Sequence, residues 1–448
     1  MAKIRSDLIF TLPIVLSCDI LATWLDVPEF VRLDSGYCNH EDRSQLHALY
    51  EQPELNCSLG CFSEHISWFM ERRIRLQDFD MFEELSTRTD LALKYLEEFG
   101  RFIKVLRISD GSNLALIDAV GSHCPNVNTL TIDVIVDKYL VLLNAFHMLH
   151  SLDLCDESVS NDSDESDLLI GQLKEAQHLR KLRLTWGYTK TNSFVCLVQK
   201  CPHLTHFAPM CCKPLSDALM ISMISCLPHL IALDLSGLYV SDVTLIAIAK
   251  GCPCIVHLDL QSGVKITDSA MYTVATSLKL KSIAIPCDFK LTDKTLEYLH
   301  SCRETLKELH IAHWVGCSGG TVNFSLSAIN NLIDNTRNPC RYTWRTEFYR
   351  HNGDLSNCTH TTRQISLLTS VANTGLHLET LGINHTPRPT LPHLTSTGLY
   401  AVIKNCPRLK NIHINKKVDK TRIADVLSSH SHLFRFCNSP WFDVMSLA

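Results

Sequence analysis

The chain has 448 residues, 46% of them apolar, and is long enough to bury a sizeable core. Its 42 Lys and Arg against 47 Asp and Glu leave a net charge of −5, which offers no basic field for nucleic acid. No run reaches the roughly 18 apolar residues of a spanning helix, which argues against a membrane protein.

Lys3 and Arg5 precede the apolar run from Leu8 to Leu16, which imitates a secretory leader. Asp7 interrupts it at the start, Pro13 divides it, and the apolar periodicity runs on past Cys18, so the stretch reads as helix. Pro13 suits a first helical turn, and Val15, Ile20, Leu21, Trp24 and Leu25 then form one stripe. Asp26 begins a turn, Pro28 opens a second helix, and Phe30, Leu33 and Tyr37 follow. Residues 8–39 resemble an F-box in Leu12-Pro13, the Ile20-Leu21 pair, Trp24-Leu25, and Phe30 with Leu33 as the next apolar pair. Cys38 matches the family's closing cysteine, but no Trp follows it, and Ser17 and Asp19 stand where many members are apolar. The resemblance implies that Leu12, Pro13, Ile20, Leu21, Trp24, Leu25, Phe30 and Leu33 contact the small adaptor of a cullin–RING ubiquitin ligase. The alternative is a helical cap, because the first repeat of any solenoid exposes an apolar end.

The expected division is an F-box-like helical segment at 8–47, a helical linker and N-terminal cap at 48–100, and repeats over 101–448. The linker carries Trp68, Phe69 and the run Glu71-Arg72-Arg73-Ile74-Arg75, whose arginines read as a solvated face. Leu91, Leu93, Tyr95, Leu96 and Phe99 follow at helical spacing.

From Ile103 onward one unit recurs. Its first apolar strand position falls at Ile103, Val127, Leu149, Leu179, Leu204, Leu230, Ile255, Leu280 and Leu306, then Leu378, Leu409 and Leu433. In the unit at Leu230–Leu260, Leu230, Leu233 and Leu235 spell L-x-x-L-x-L, and Leu245, Ile248 and Ala249 then share one face of a helix. Ser241 can cap that helix, Asp242 suits its positive end, and Pro253 stops it. Thr-Asp or Ser-Asp helix starts recur at 216–217, 241–242, 267–268 and 292–293, and Cys-Pro ends at 124–125, 201–202, 252–253 and 406–407. A unit that cannot bury its apolar face alone must stack on copies of itself. The pattern resembles the cysteine-containing leucine-rich repeats, which implies an α/β solenoid, a right-handed βα superhelix with a curved parallel sheet. Cysteines at one repeat phase pack inward as reduced thiols, so the twenty cysteines point to a reducing compartment, cytoplasm or nucleus, rather than a disulfide framework.

Residues 153–167, DLCDESVSNDSDESD, form an acidic serine-rich loop that lengthens one repeat and lacks the EF-hand glycine and glutamate. The segment 312–375 is an irregular or inserted stretch, in which Arg341, Trp344, Arg345 and Tyr349 interleave cations with aromatics and are candidates for a partner contact.

Gly316-Cys317-Ser318-Gly319-Gly320 matches G-x-S-x-G, but the strand before it belongs to the repeat, whereas a hydrolase elbow needs a doubly wound sheet. Cys57, Cys61 and His65 give three potential zinc ligands without a fourth. No catalytic constellation, metal site or cofactor motif emerges. The repeats instead offer a face: residues between the strand leucines line its concave side, and Asp153, Arg183, Asp234, His257, Asp259, Glu308 and His310 are candidates to hold a protein partner. The combined resemblance implies a substrate-recognition subunit of an SCF-type cullin–RING ligase, bound to adaptor and cullin and holding a protein substrate. The alternatives are a non-catalytic cytosolic repeat scaffold, a secreted receptor and a hydrolase.

Overall fold

In a computed structural model of the chain, described residues are 10–25, 27–37, 42–52, 55–57, 65–81, 88–109, 113–133, 142, 143, 145–156, 176–186, 196, 198–211, 216–236, 238, 240–260, 266–286, 290–314, 324, 325, 328, 331, 332, 341–347, 380–383, 396–415 and 424–437. The chain forms two compact units, Met1–Leu204 and Thr205–Ala448.

The first unit opens with helices α1 (Ile14–Trp24), α2 (Val27–Gly36), α3 (Arg43–Tyr50) and α4 (Ile66–Glu71). Their core is aromatic. Phe30 stacks on Tyr50 at 5.5 Å and meets Trp68 edge-on at 5.8 Å, in the offset and T-shaped geometries that ring quadrupoles favour. Asp34, buried on α2, accepts from Trp68 Nε1 at 3.2 Å and pairs with Arg72 Nε at 3.1 Å, so the buried carboxylate is matched by a charge and a donor. This corrects the reading of the arginine run as a solvated face. Arg72 is tied to Asp34, Arg75 donates to the Gln52 carbonyl, and Arg73 is the exposed member, paired with Glu98.

The chain leaves α4 through Arg73, whose φ of 56° lies in the left-handed region, with Ile74 N–H closing on the Phe69 carbonyl at 3.0 Å. A short parallel pair, β1 (Asn56–Cys57) with β2 (Arg75–Leu76), follows. Tyr95 on α5 (Thr89–Phe99) pins β2 by accepting from Leu76 N–H and donating to the Ile74 carbonyl.

The repeat sheet of this unit runs β3 (Asp78–Met81), β4 (Val105–Ile108), β5 (Thr129–Ile132), β6 (Ser151–Asp156) and β7 (Lys181–Trp186), each parallel to the next. Its ladder starts at Asp78, inside the stretch read as linker. Between β4 and β5 lies α6 (Leu114–His123), capped by Asn113 and ending at Cys124.

The second unit repeats the scheme with β8 (His206–Cys211), β9 (Ala232–Asp234), β10 (His257–Asp259), β11 (Ser282–Pro286), β12 (Glu308–Trp314) and β13 (Arg341–Glu347) in one parallel ladder. Helices α7 (Asp217–Ile224), α8 (Asp242–Gly251), α9 (Asp268–Ser277) and α10 (Asp293–Leu299) cross between strands. A separate three-stranded parallel sheet, β14 (Thr380–Ile383), β15 (Asn411–Asn415) and β16 (Phe434–Cys437), is interleaved with α11 (Ser396–Asn405) and α12 (Ala424–His430). Strand, helix, parallel strand is the leucine-rich-repeat plan, and the fold is an α/β solenoid of such repeats. The strand leucines face inward: Leu233, Leu235, Leu258, Leu260, Leu280 and Ile283 are all buried.

Two polar devices join one repeat to the next. The aspartate opening each helix accepts from the following repeat's cap: Asp242 from Thr267 N–H at 2.7 Å and its hydroxyl at 2.6 Å, and Asp268 from Thr292 N–H at 2.9 Å, Thr292 Oγ1 at 2.7 Å and Thr295 Oγ1 at 2.6 Å. Burial by itself would raise the Asp268 pKa, but the Thr292 and Thr295 hydrogen bonds and Lys294 outweigh it and hold the carboxyl below its ordinary value. The second device is the Cys at the helix end. Cys252 Sγ donates to the Leu227 carbonyl at 3.3 Å and Cys302 Sγ to Leu278 at 3.4 Å, so a buried thiol meets an otherwise orphaned helix-end carbonyl. Burial pushes the Cys124 and Cys201 thiols up to about 12 and Cys252 to about 11, which keeps them protonated as donors. The described cysteines are free thiols, and among the described residues no helix is long and apolar enough to cross a membrane.

Candidate functional site

Two surfaces bear the candidate residues. On the helical segment, Leu21 and Phe30 are fully buried in its own core, whereas Leu12, Ile20, Leu25 and Leu33 are half-buried and Pro13 is exposed. Trp24 closes α1, and its side chain lies outside the description. Ser17, polar where an F-box is commonly apolar, is buried and its hydroxyl donates to the Pro13 carbonyl at 3.3 Å. The exposed apolar residues are ones that the motif did not single out. Ile14, Val15 and Leu16 in the first turn of α1 are 51%, 65% and 45% exposed. Three adjacent large apolar side chains left in water on one turn are a recognition feature rather than a packing one. The sequence holds this cue in the run Ile14-Val15-Leu16, which is too continuous for a one-sided stripe.

The repeat face of the first unit is a row of registered positions, Asp80, Arg107, Thr131, Asp153 and Arg183, on five neighbouring strands. Arg183 Nη1 reaches Asp153 Oδ2 at 3.5 Å, and Ser109 Oγ donates to Asp133 Oδ2 at 3.0 Å. Burial raises the Asp153 pKa, opposed chiefly by Arg183, and burial with the Asp133 charge raises that of Asp80 against the pull of Arg107. Asp80, Arg107 and Asp133 were not among the expected residues; only the register brings them beside Asp153.

In the second unit two rows cross the face. Ala232, His257, Ser282, Glu308 and Arg341 form one, and Asp234, Asp259, Ala284, His310 and Thr343 the other. Asp234 Oδ1 accepts from Ser236 N–H at 2.8 Å, and His310 Nε2 lies 3.8 Å from Glu308 Oε2. Burial lowers the His257 pKa, with Glu308 opposing and Lys281 reinforcing the shift. Ala232, Ser282 and Ala284 make a short-side-chain floor beneath these groups.

Arg341, Trp344 and Arg345 lie on β13, registered with Glu308, Ile311 and Ala312; their side chains, and all of Tyr349, lie outside the description. The G-x-S-x-G stretch, Cys61 and residues 157–167 of the acidic loop also lie outside the described residues. Among the described residues no group of three His, Cys, Asp or Glu could hold a metal ion.

No protein-family profile matches the chain. Among solved structures it is similar to a chain of the Rad7 and Elc1 complex in yeast, at 14% identity and a TM-score of 0.49, over 87% of this chain and 93% of that one. It is also similar to the leucine-rich-repeat-containing protein LegL7 from Legionella pneumophila, at 11% identity and a TM-score of 0.39, over 72% of this chain and 97% of that one.

Proposed function

We propose that this leucine-rich-repeat protein is the substrate-recognition subunit of an SCF-type cullin–RING ubiquitin ligase, with the F-box-like helices docking on the adaptor and the repeat face holding a protein substrate. The observation that carries the reading is the exposed turn Ile14-Val15-Leu16 directly after Leu12-Pro13, on a segment whose own core is already filled by Leu21, Phe30, Tyr50 and Phe69. A segment serving only as cap would turn its apolar residues toward the repeats. Covering three half-exposed aliphatic side chains supplies about 2–4 kcal/mol toward binding. The repeats carry no chemistry in this reading; they raise the effective concentration of a substrate lysine near the conjugating enzyme.

The test is binding of purified adaptor to the full chain and to an Ile14→Ser/Val15→Ser/Leu16→Ser variant, with circular dichroism showing that both are folded. The expected result is tight binding by the native chain and at least a tenfold loss in the variant. Equal binding by both, or none by either, overturns the adaptor assignment and leaves a repeat scaffold with a helical cap.

A further inference from the structure

The strand register of the second unit gives its face a definite chemical preference. Asp234 and Asp259 are directly opposite on β9 and β10, and parallel neighbours are about 4.8 Å apart, so two carboxylates stand side by side. The same row continues through Ala284 to His310, and the row beside it runs from His257 through Ser282 to Glu308. The two short residues of β11 therefore lie between His257 and Asp259 on one side and Glu308 and His310 on the other. Those walls are two strand spacings apart, about 10 Å between backbones, enough for one extended side chain. The floor is low and dry: Ser282 is 6% exposed and Ala284 5%. His257 Nδ1 is buried and meets no hydrogen-bond partner among the described residues.

The first unit differs at the same repeat phase. There Asp153 faces Arg183 across the register, so the ladder supplies its own counter-charge. In the second unit that phase carries Asp234, Asp259, Ala284 and His310, and the nearest cations by position are Lys281, where the chain enters β11, and Arg341, across from Glu308 on β13. Neither stands in the row of the two aspartates. With imidazoles largely neutral near pH 7, the walls present negative charge over a small-residue floor.

We propose that the β9–β12 face takes an arginine-bearing extended segment of the protein partner, its guanidinium entering over Ser282 and Ala284 between Asp259 and Glu308. Arginine fits better than lysine because its planar fork can donate to two carboxylates at once and stack on an imidazole. The assignment rests on the reading of the repeat face as the substrate surface and gives that substrate a chemistry. It concerns groups far in sequence from the adaptor turn, so the two proposals fail separately.

The experiment is fluorescence anisotropy with the full chain and three labelled twelve-residue peptides that alternate serine with arginine, lysine or glutamate. Variants are Asp259→Asn/Glu308→Gln, Ala284→Leu, and Glu297→Gln on the helical side as a control for bulk charge. The arginine peptide should bind at least tenfold more tightly than the glutamate peptide and measurably more tightly than the lysine peptide. The double variant and Ala284→Leu should each weaken it tenfold or more, while Glu297→Gln leaves it unchanged and adaptor binding is the same throughout. Equal affinity for arginine and glutamate peptides, no loss in the face variants, or an equal loss in the control would overturn the proposal.

Discussion

Replacing Asp268 with alanine removes an acceptor that serves three donors of the next repeat. The Thr292 amide and hydroxyl are exposed and can turn to water, so losing them costs about 0.5–1 kcal/mol together. Thr295 is different, because it is fully buried and its hydroxyl donates to Asp268 Oδ1 at 2.6 Å. Leaving that hydroxyl orphaned costs about 1–3 kcal/mol more, for a total near 2–4 kcal/mol. Urea unfolding of Asp268→Ala followed by circular dichroism should show this loss, with faster amide exchange concentrated in α9 and α10. Thr295→Val removes the orphan, so in the double variant the two losses should fall short of their sum by about 1–2 kcal/mol. The contribution also has a pH signature. The folded-state pKa lies below the ordinary 3.8, so the clip is fully present above that value and is lost as pH falls through the lower one. The gap between native protein and Asp268→Ala should therefore close in acid. A loss under about 0.5 kcal/mol, or strict additivity with Thr295→Val, would refute the reasoning.

A Cβ on Gly100 would lie 2.8 Å from the His123 carbonyl oxygen, a backbone atom that cannot swing away, so Gly100→Ala should destabilise the first unit by about 1–3 kcal/mol in the same assay. Arg73 holds a left-handed conformation and an exposed ion pair with Glu98, so Arg73→Gly should match or exceed native stability by up to about 1 kcal/mol and exceed Arg73→Ala; a glycine variant less stable than the alanine one contradicts the strain assignment. Iodoacetamide at pH 8 followed by peptide mass mapping should modify the exposed Cys196 and Cys254 and spare native Cys124, Cys201 and Cys252 until urea unfolds them, because a thiol held near 11 is only about 0.1% ionised there.

The repeats were legible because each level of the sequence repeats the same instruction. Leu233, Leu235, Leu258 and Leu260 set the strand phase, Ser241 caps Val243 N–H as its position suggests, and Cys252 ends the helix. The aspartate after the cap was legible only in part. Read locally, Asp242 favours its own helix dipole, but its bonds go to Thr267, 25 positions on, and only the recurrence of Thr-Asp at that interval hints at such a partner. β3 escaped notice because Asp78-Phe79-Asp80-Met81 has only two apolar residues and no leucine frame. In the helical segment the motif pointed to Leu21 and Phe30, which packing consumes, while the exposed turn lies among residues it passed over. Apolar identity marks a residue as valuable to bury; whether a neighbour or a partner buries it depends on the tertiary arrangement.

The forward reach of the helix-opening aspartates makes the array directional, like a polymer with unlike ends. Asp242 hands its carboxylate to Thr267, Asp268 to Thr292, and Asp293 to the Ser325 amide at 2.6 Å. Each internal link is an acceptor facing one way and a donor facing the other, so an extra copy of 242–267 could be spliced in without altering what either neighbour offers. A chain cut after any link would end in a bare carboxylate on one side and a bare threonine cap on the other, and a shortened version would need two chemically different plugs to close it.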